Sequence, residues 1–367
     1  MPRPRKRATR RHPTPPGRPR GKRAASAAPN PRGVTSHDVA SLAGVSRSAV
    51  SRSFTPEASV SEKTRRKVMA AAQKLGYQPN VIARSLITRQ SRLIGLVMGE
   101  WENPFYTTML RDFTEKLGGR DYQLMLLASR TPADVEAAMR MLMRYRVDGI
   151  VFVSASPTPE SAADYVRTGG RLVLLNREAD GLPATSIVSD AARDGREIAA
   201  RLLEAGYGRI ALTRGDARLP SGVLRVNALR QAIEASGRAR ILVDRSGVLG
   251  YDAGRAFGNE MMALAEPPDV VVCSTDITAI GVLDAIRLDR RLAVPAQVGV
   301  VGFGDIPAAS WASHELSTIR LPLAAMIDLA VSTLLAEPGA ATTPRRIVVE
   351  GEVVVRSTLR GAGRRPA

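Results

Sequence analysis

Two short helical patterns around a single glycine, Gly44, constrain the fold of this chain more than any other stretch. They lie in residues 34–54, where Thr35 is a suitable N-cap and Asp38 follows at the capping-box position. Gly44 ends the first pattern, and Ser46 is placed to cap the second. This spacing predicts a helix-turn-helix.

The second helix has an apolar side and a polar, basic side. Ala49 and Val50 are expected to point inward, which leaves free the polar and basic side chains of Arg47, Ser48, Ser51 and Arg52. Such a face suits a helix that lies in the major groove of DNA. An ordinary helical hairpin with solvated arginines is the alternative that these residues alone leave open.

The positive charge of the chain is concentrated at its N-terminal end. Residues 1–33 hold eleven Lys and Arg and no acid, and residues 34–90 hold nine bases against three acids, within a formal total of +18. The remaining chain is therefore close to neutral. A partner that is a polyanion would be bound by the N-terminal quarter.

Residues 1–33 consist largely of Arg, Pro, Ala and Gly. Because almost no large apolar side chain is available to offset the entropy of ordering, we predict a disordered basic arm. Composition leaves two roles open: non-specific contacts to phosphate, or an incidental extension.

The chain is expected to work in the cytoplasm. Cys273 is its only cysteine, which excludes an internal disulfide framework and fits a reducing compartment. No apolar run approaches the roughly 18 residues of a membrane helix, and no apolar core of a signal peptide follows the basic start. We therefore expect neither a membrane partner nor export.

A third helix completes the predicted headpiece over 34–78. Ser61 is its expected N-cap, and Gly76 its end. Residues 79–90 follow as a helical hinge and linker. Because its helical part spans only about two turns, this segment is too short to be stable alone in water.

From Arg92 onward, short apolar runs alternate with amphipathic helical patterns. This alternation predicts parallel sheets flanked by helices, and so many strands favour two successive α/β lobes with a break near Asp190. The runs are 93–98, 124–127, 149–153, 172–175, 210–212, 270–272 and 298–302, and the helical patterns are 105–117, 133–144, 190–205, 224–236 and 277–290.

The N-terminal region resembles the lac repressor family of bacterial transcription regulators (LacI/GalR). The matching residues are Asp38-Val-Ala, Ala43-Gly-Val-Ser, Val50-Ser-Arg, Val60-Ser, Thr64-Arg, Val68, Leu75-Gly-Tyr, Pro79-Asn and Ala83 to Leu86. Further matches continue through the body: Asn103-Pro-Phe-Tyr, Asp148-Gly-Ile, Asp190, Gly195, Ala205-Gly-Tyr, Gly302-Phe-Gly-Asp and Leu316-Ser-Thr-Ile. The resemblance covers about residues 35–360.

The resemblance implies a body of two lobes like those of periplasmic binding proteins, with a ligand cleft between them. It assigns 91–189 and about 320–337 to the first lobe, 190–319 and about 338–361 to the second, and leaves 362–367 as a tail. It also implies a repressor that binds a pseudo-palindromic DNA operator as a homodimer, with a tetramer left open. A small molecule in the cleft would control it.

The resemblance also indicates which residues contact DNA. It places Arg47 and Ser48 where base edges are read, with Arg52 one turn later. The hydroxyls of Ser46, Ser51, Ser61 and Thr64 fall at phosphate-contacting positions, and Ala83 and Leu86 fall in the hinge, where the leucine is a minor-groove wedge. From the residue alone, Leu86 could instead be a packing leucine.

The same resemblance suggests a set of effector-binding residues: Asn103, Phe105, Tyr106, Asp190, Arg225, Tyr251, Thr275, Asp276 and Asp305. Each could instead be a cap or a hinge contact. A sugar or sugar derivative is the ligand class that the family suggests. Gly304 and Thr275 depart from a common aspartate and asparagine of the family, which points to a different ligand or to a weak pocket.

Other classes of protein are less compatible with the sequence. The chain has only three histidines and lacks a Gly-x-Ser-x-Gly elbow, a Walker loop and a His/Cys zinc cluster, so we expect neither an enzyme, nor a metal site, nor a cofactor. A secreted solute-binding protein would fit the body but not the headpiece. A DNA-binding regulator with an empty pocket is the other alternative.

Overall fold

The computed structural model divides into two compact units, Met1–Asn80 and Val81–Ala367. The described residues are 34–55, 58–78, 90–99, 103–129, 131–153, 155–215, 220–336 and 344–361. The predicted basic arm over 1–33 and nearly all of the predicted hinge, 79–89, lie outside them. Each unit is considered separately below.

The first unit contains three helices: α1 (Ser36–Ala43), α2 (Arg47–Ser53) and α3 (Glu62–Leu75). Thr35 and Asp38 form the predicted capping box at the start of α1, and Ser46 and Ser61 cap α2 and α3. Gly44 and Gly76 end α1 and α3 in the left-handed conformation, at φ 65° and 64°. Only glycine adopts this conformation without strain, which explains both helix ends.

A small apolar core holds these helices together. Its buried members are Val39, Ala40, Val50, Val68, Ala71 and Ala72. The rings of Phe54 and Tyr77 meet beside it at 5.8 Å. A guanidinium N–H of Arg65 donates to the backbone oxygen of Ser53 at 2.9 Å, so α3 also fixes the end of α2.

The second unit begins with a parallel sheet of six strands in the order β11-β5-β4-β3-β1-β2. The strands are β1 (Leu93–Met98), β2 (Gln123–Ala128), β3 (Gly149–Val153), β4 (Arg171–Leu175), β5 (Thr185–Ser189) and β11 (Arg346–Val349). Helices α4 (Pro104–Gly118) and α11 (Leu323–Leu334) contribute to the core on one face. Helices α5 (Pro132–Arg144) and α6 (Pro159–Arg167) contribute to the core on the other.

A second parallel sheet has the order β7-β6-β8-β9. It consists of β6 (Arg209–Arg214), β7 (Arg240–Ser246), β8 (Val270–Val272) and β9 (Gly299–Val301). Helices α7 (Ala191–Glu204) and α8 (Pro220–Ser236) cover one face. Helices α9 (Gly250–Met261) and α10 (Asp276–Asp284) cover the other, and a π-helical turn over Ala285–Asp289 extends α10.

This architecture is the predicted α/β body of two parallel sheets preceded by a helical headpiece. A third, antiparallel pair joins β10 (Thr318–Arg320) to β12 (Glu352–Val354).

One chain crossing differs from the expected lobe boundaries. The expectation put about 338–361 in the second lobe, but β11 pairs with β5 at the edge of the first sheet. The chain therefore returns to the second lobe after Val349, where β12 pairs with β10. Strand β11 joins the first sheet because its backbone forms hydrogen bonds with the open edge of β5. Hydrophobic periodicity in the sequence does not show which sheet edge a strand will join.

Candidate DNA-binding surface and ligand site

The polar side of α2 is open to solvent. Arg47, Ser48, Ser51 and Arg52 are all exposed, whereas Val50 on the opposite side is buried. Within the described part of the chain, neither Arg47 nor Arg52 has an ion-pair or hydrogen-bond partner. Their guanidinium groups are therefore free to donate to base edges, for which arginine has the right fork of donors.

Hydroxyl groups mark the starts of α2 and α3. The Ser46 hydroxyl accepts from the backbone N–H of Ala49 at 3.2 Å and lies 2.9 Å from that of Ser48. The Ser61 hydroxyl accepts from the backbone N–H of Thr64 at 3.2 Å. Local capping accounts for these contacts, and phosphate binding by these hydroxyls stays a prediction. Ala83 and Leu86 lie outside the described residues.

In the body, eight buried side-chain polar atoms have no hydrogen-bond partner within the described residues, and four of them lie where strands end. Ser129 follows β2, Asn176 follows β4, Ser189 ends β5, and Ser274 lies two residues beyond β8. Ligands of open α/β sheets bind at the carboxyl ends of the strands. These four residues were not among the predicted effector contacts, although their positions directly after apolar runs could have indicated them.

Arg225, a predicted effector residue, is buried in the second lobe. Its guanidinium carbon lies 3.1 Å from the ring centre of Phe303, and its Nε atom has no partner within the described residues. Thr213, Ser274 and Phe303 line a cavity of about 20 Å³ beside it, the size of one water molecule. Burial lowers the pKa of Arg225 to about 10, and the charge of Asp194 opposes that shift.

Asp276 and Asp305 have structural partners in the second lobe. Asp276 is completely buried and accepts from the backbone N–H of Ile306 at 2.8 Å and from the Thr318 hydroxyl at 2.6 Å. Asp305 forms ion pairs with Arg320 at 2.6 Å and with Arg356 at 2.7 Å. Asp276 thus joins the start of α10 to the turn after β9 and to β10, and Asp305 joins that turn to β10 and to the chain after β12.

Three further predicted effector residues cap helices. The side chains of Asn103, Asp190 and Thr275 accept hydrogen bonds at the starts of α4, α7 and α10. Tyr251 donates its hydroxyl to Asp284 at 2.8 Å, which links α9 to α10. These contacts fix the side chains, and ligand binding by them remains a proposal.

Phe105 lies between the two lobes. It packs against the core of the first sheet and against the core of the second, while its neighbour Tyr106 is buried in the first. A Cβ atom at Gly304 would lie 3.6 Å from the Phe105 ring and 3.5 Å from the Asp276 carboxylate. Because Gly304 also has φ 127°, the aspartate common in the family would be strained here.

Asp276 gives the body an unusual pH dependence. Burial raises its pKa from 3.8 to about 6, although the hydrogen bonds from Thr318 and Ile306 lower the pKa. Its stabilising contribution is therefore complete below pH 3.8 and is lost as the pH rises towards 6. We expect Asp276→Asn to flatten the fall in unfolding free energy between pH 4 and pH 7, measured by urea denaturation. An equally steep fall in the variant would contradict this assignment.

The described residues contain no group of three or more His, Cys, Asp or Glu side chains that could hold a metal ion. In the same part of the chain, no helix is long and apolar enough to cross a membrane.

Two family models match the sequence. Residues 35–80 match the bacterial regulatory proteins of the lacI family. Residues 183–359 match a periplasmic binding protein-like domain. The first match falls within the unit that contains α1 to α3, and the second starts near β5 and extends beyond β12.

Similar proteins share most of their length with this chain. The ribose operon repressor of Bacillus subtilis (strain 168) is 31% identical over 304 residues, which cover 82% of this chain and 91% of the relative. The HTH-type transcriptional regulator CelR of Thermobifida fusca is 32% identical over 336 residues, with coverages of 87% and 96%.

Solved structures show the same architecture. The lac repressor dimer bound to operator and the anti-inducer ONPF has a TM-score of 0.78 at 25% identity, covering 89% of this chain and 99% of that one. The CelR–cellobiose complex has a TM-score of 0.63 at 28% identity, again with coverages of 89% and 99%.

Proposed function

Because this chain belongs to the lacI family of bacterial regulatory proteins and is therefore a DNA-binding transcription regulator, we propose that it is a repressor controlled by a small molecule. It works in the cytoplasm and binds a pseudo-palindromic operator as a homodimer. The ligand occupies the space between the two α/β lobes.

Arg47 and Arg52, exposed on α2 and without an ion-pair partner among the described residues, carry the DNA-binding part of this proposal. Each can present two parallel N–H donors to the O6 and N7 acceptors of guanine in the major groove. In this proposal the hydroxyls of Ser46 and Ser61, at the starts of α2 and α3, donate to phosphate, which fixes the register.

Symmetry links the DNA site to the oligomeric state. One headpiece contacts only one half-site, and two half-sites related by a two-fold axis require two copies of the chain. The lac repressor, similar in structure, is a dimer on its operator. The hinge residue Leu86 is the proposed wedge at the operator centre, where two leucines from two subunits would unstack one base step.

The polar atoms at the strand ends, which have no hydrogen-bond partner in the described part of the chain, support a ligand site. Ser129, Asn176 and Ser189 belong to the first lobe and Ser274 to the second, so a ligand that bonds all four would hold the lobes together. Hydroxyl and amide groups suit a polyhydroxylated molecule such as a sugar or a sugar derivative. CelR, a similar protein, has been solved in complex with cellobiose.

Ligand binding would control DNA binding through the relative position of the lobes. A ligand that prefers one arrangement shifts the population towards it and so changes whether the paired hinge segments over 79–90 fold on DNA. Residues that cap helices at the site, such as Asn103 and Thr275, would transmit small shifts to whole helices.

We expect Arg225→Met to weaken effector binding about tenfold while leaving operator affinity unchanged. Removing a charged hydrogen-bond donor to the ligand has a cost of this order, and methionine keeps most of the side-chain volume over Phe303. Thermal-shift titration with the effector measures this loss. Arg196→Met, at an exposed position of α7, is the matched control. Equal effector affinity in both variants would remove Arg225 from the ligand site.

Selection of bound sites from random DNA by the full-length chain tests the proposed function. The expected product is a pair of inverted half-sites about one helical turn apart. Enrichment of a single, unrepeated half-site would contradict the homodimer. Ligand binding without any DNA enrichment would instead favour a solute-binding protein. A thermal-shift screen of sugars, sugar acids and nucleobases separates an occupied pocket from an empty one.

A further inference from the structure

Asp148 binds the chain at the point where it enters the body. The described part of the second unit begins at Gln90, and we call residues 90–92 the junction. The Asp148 carboxylate accepts from the backbone N–H of Ser91 at 2.8 Å, from the Ser91 hydroxyl at 2.9 Å and from the backbone N–H of Arg92 at 3.0 Å. Hydrogen bonds to a charged acceptor are stronger than neutral ones, so these three bonds restrain the junction firmly.

The backbone of the junction is held in an uncommon conformation. Arg92 is left-handed, at φ 58°, which residues with a side chain seldom adopt. Its backbone oxygen accepts from the N–H of Gln123 at 2.8 Å, and its guanidinium carbon lies 5.0 Å from the ring centre of Tyr122. Such a conformation persists only where the surrounding contacts maintain it. Loss of the Asp148 carboxylate would therefore free the junction to rotate.

Strand β1 connects the junction to the proposed ligand site. Asp148 lies directly before β3, which pairs with β1 in the interior of the first sheet. Strand β1 runs from Leu93 to Met98, roughly 17 Å at about 3.3 Å per residue. The Met98 backbone oxygen then accepts from the N–H of Ser129, one of the four polar residues at the strand ends, at 3.0 Å. Two interior strands thus join the junction to the ligand edge of the sheet.

The second lobe contains a similar carboxylate at a point where the chain arrives from α7 and not from the headpiece. Asp269 lies directly before β8 and accepts from the backbone N–H groups of Gly208 at 3.0 Å and Arg209 at 2.9 Å, at the start of β6. Strand β6 pairs with β8 as β1 pairs with β3, and both carboxylates are half-buried. Each carboxylate stabilises its own lobe, but of the two only Asp148 lies between the headpiece and the body along the chain.

We propose that Asp148 is a positioning residue for operator binding, because it makes the junction follow the first lobe as one rigid piece. Without this restraint, backbone rotation at the junction would absorb a shift of the lobe before the shift reached the headpiece. The inference rests on the proposed function, in which the arrangement of the lobes controls DNA binding. Asp148 itself touches neither DNA nor the ligand.

Asp148→Asn and Asp269→Asn in the full-length chain form a matched pair for the test. In each variant an amide group replaces one acceptor oxygen by a donor that faces a backbone N–H, so both should lower the Tm by similar amounts. Asp148→Asn should also weaken binding to the selected operator about tenfold, the change expected for one hydrogen bond to a charged group. Its affinity for a scrambled duplex should not change. Asp269→Asn should keep both affinities, which fluorescence anisotropy of labelled duplexes measures.

Equal operator affinities in the two variants, whether both unchanged or both reduced, would overturn the inference. Ser91→Ala removes only the hydroxyl bond and should weaken operator binding about threefold. If Asp148→Asn does not fold, this variant decides, and an unchanged operator affinity would then count against the inference. Equal affinity of the unaltered chain for operator and scrambled duplex would instead contradict the proposed function, so the two failures are distinguishable.

Discussion

Gly281→Ala should destabilise the second lobe by about 3 kcal/mol or more, because α9 and α10 touch through their backbones. A Cβ atom at Gly281 would lie 2.1 Å from the backbone oxygen of Tyr251. The contact is reciprocal, since a Cβ atom at Gly254 would lie 2.2 Å from the backbone oxygen of Thr278. Backbone atoms cannot rotate away as a side chain can, so the two helices would have to separate.

This separation would also disturb the proposed ligand site, because α10 starts at Asp276 beside Thr275. Urea denaturation followed by circular dichroism measures the loss. Gly222→Ala in α8 is the control, since a Cβ atom there would have no described neighbour within 4 Å and the φ of Gly222 is not left-handed. That variant should be neutral or slightly stabilising. Equal stability of the two variants would contradict the close helix contact.

Arg47→Ala should cost about 1 to 3 kcal/mol of discrimination between the operator and a site with a changed guanine, and Arg52→Ala a similar amount. The side chains are exposed on one side of α2, and no ion pair within the described residues must be broken before they bind DNA. Loss of a bidentate contact removes the preference at one position of each half-site. Competition binding with single-base variants of the operator measures this change position by position.

Lys74→Ala removes the same charge from an exposed position in the last turn of α3. It should leave the base preferences unchanged. If Arg47→Ala instead weakens binding equally on operator and random DNA, the arginine contacts phosphate and does not read a base.

The headpiece could be predicted residue by residue because its signals are local. Capping by Thr35, Ser46 and Ser61 and the left-handed ends at Gly44 and Gly76 depend on a few neighbouring residues, and all are present in the structure. Continuous apolar runs were equally informative in the body, where β1 and β3 have the predicted bounds.

Some elements with a short or interrupted apolar run were missing from the prediction. Strand β5 contains Thr185, Ser186 and Ser189, which are buried although polar, and β7 has an apolar run of only three residues, 241–243, between charged residues. Helix α9 contains three glycines, which lower helix propensity but permit the close contact with α10. These elements form because of contacts with distant parts of the chain, and a short stretch of sequence does not reveal such contacts.

The sequence could predict roughly where the ligand site lies, but not which side chains in it lack hydrogen-bond partners. Polar residues directly after strands could have been chosen from the sequence, since parallel strands end at one edge, but the unpaired state of Asn176 and Ser274 depends on long-range packing. The same holds for Asp276, whose partners Ile306 and Thr318 are 30 and 42 residues away in the chain.

The most direct test of the account is a titration of the full-length chain against its selected operator and against a scrambled duplex of the same composition, at one salt concentration. The account predicts two chains per operator and an affinity at least about a thousandfold higher than for the scrambled duplex. Equal affinities would show that only the positive charge of the N-terminal quarter binds DNA and would contradict sequence reading by α2.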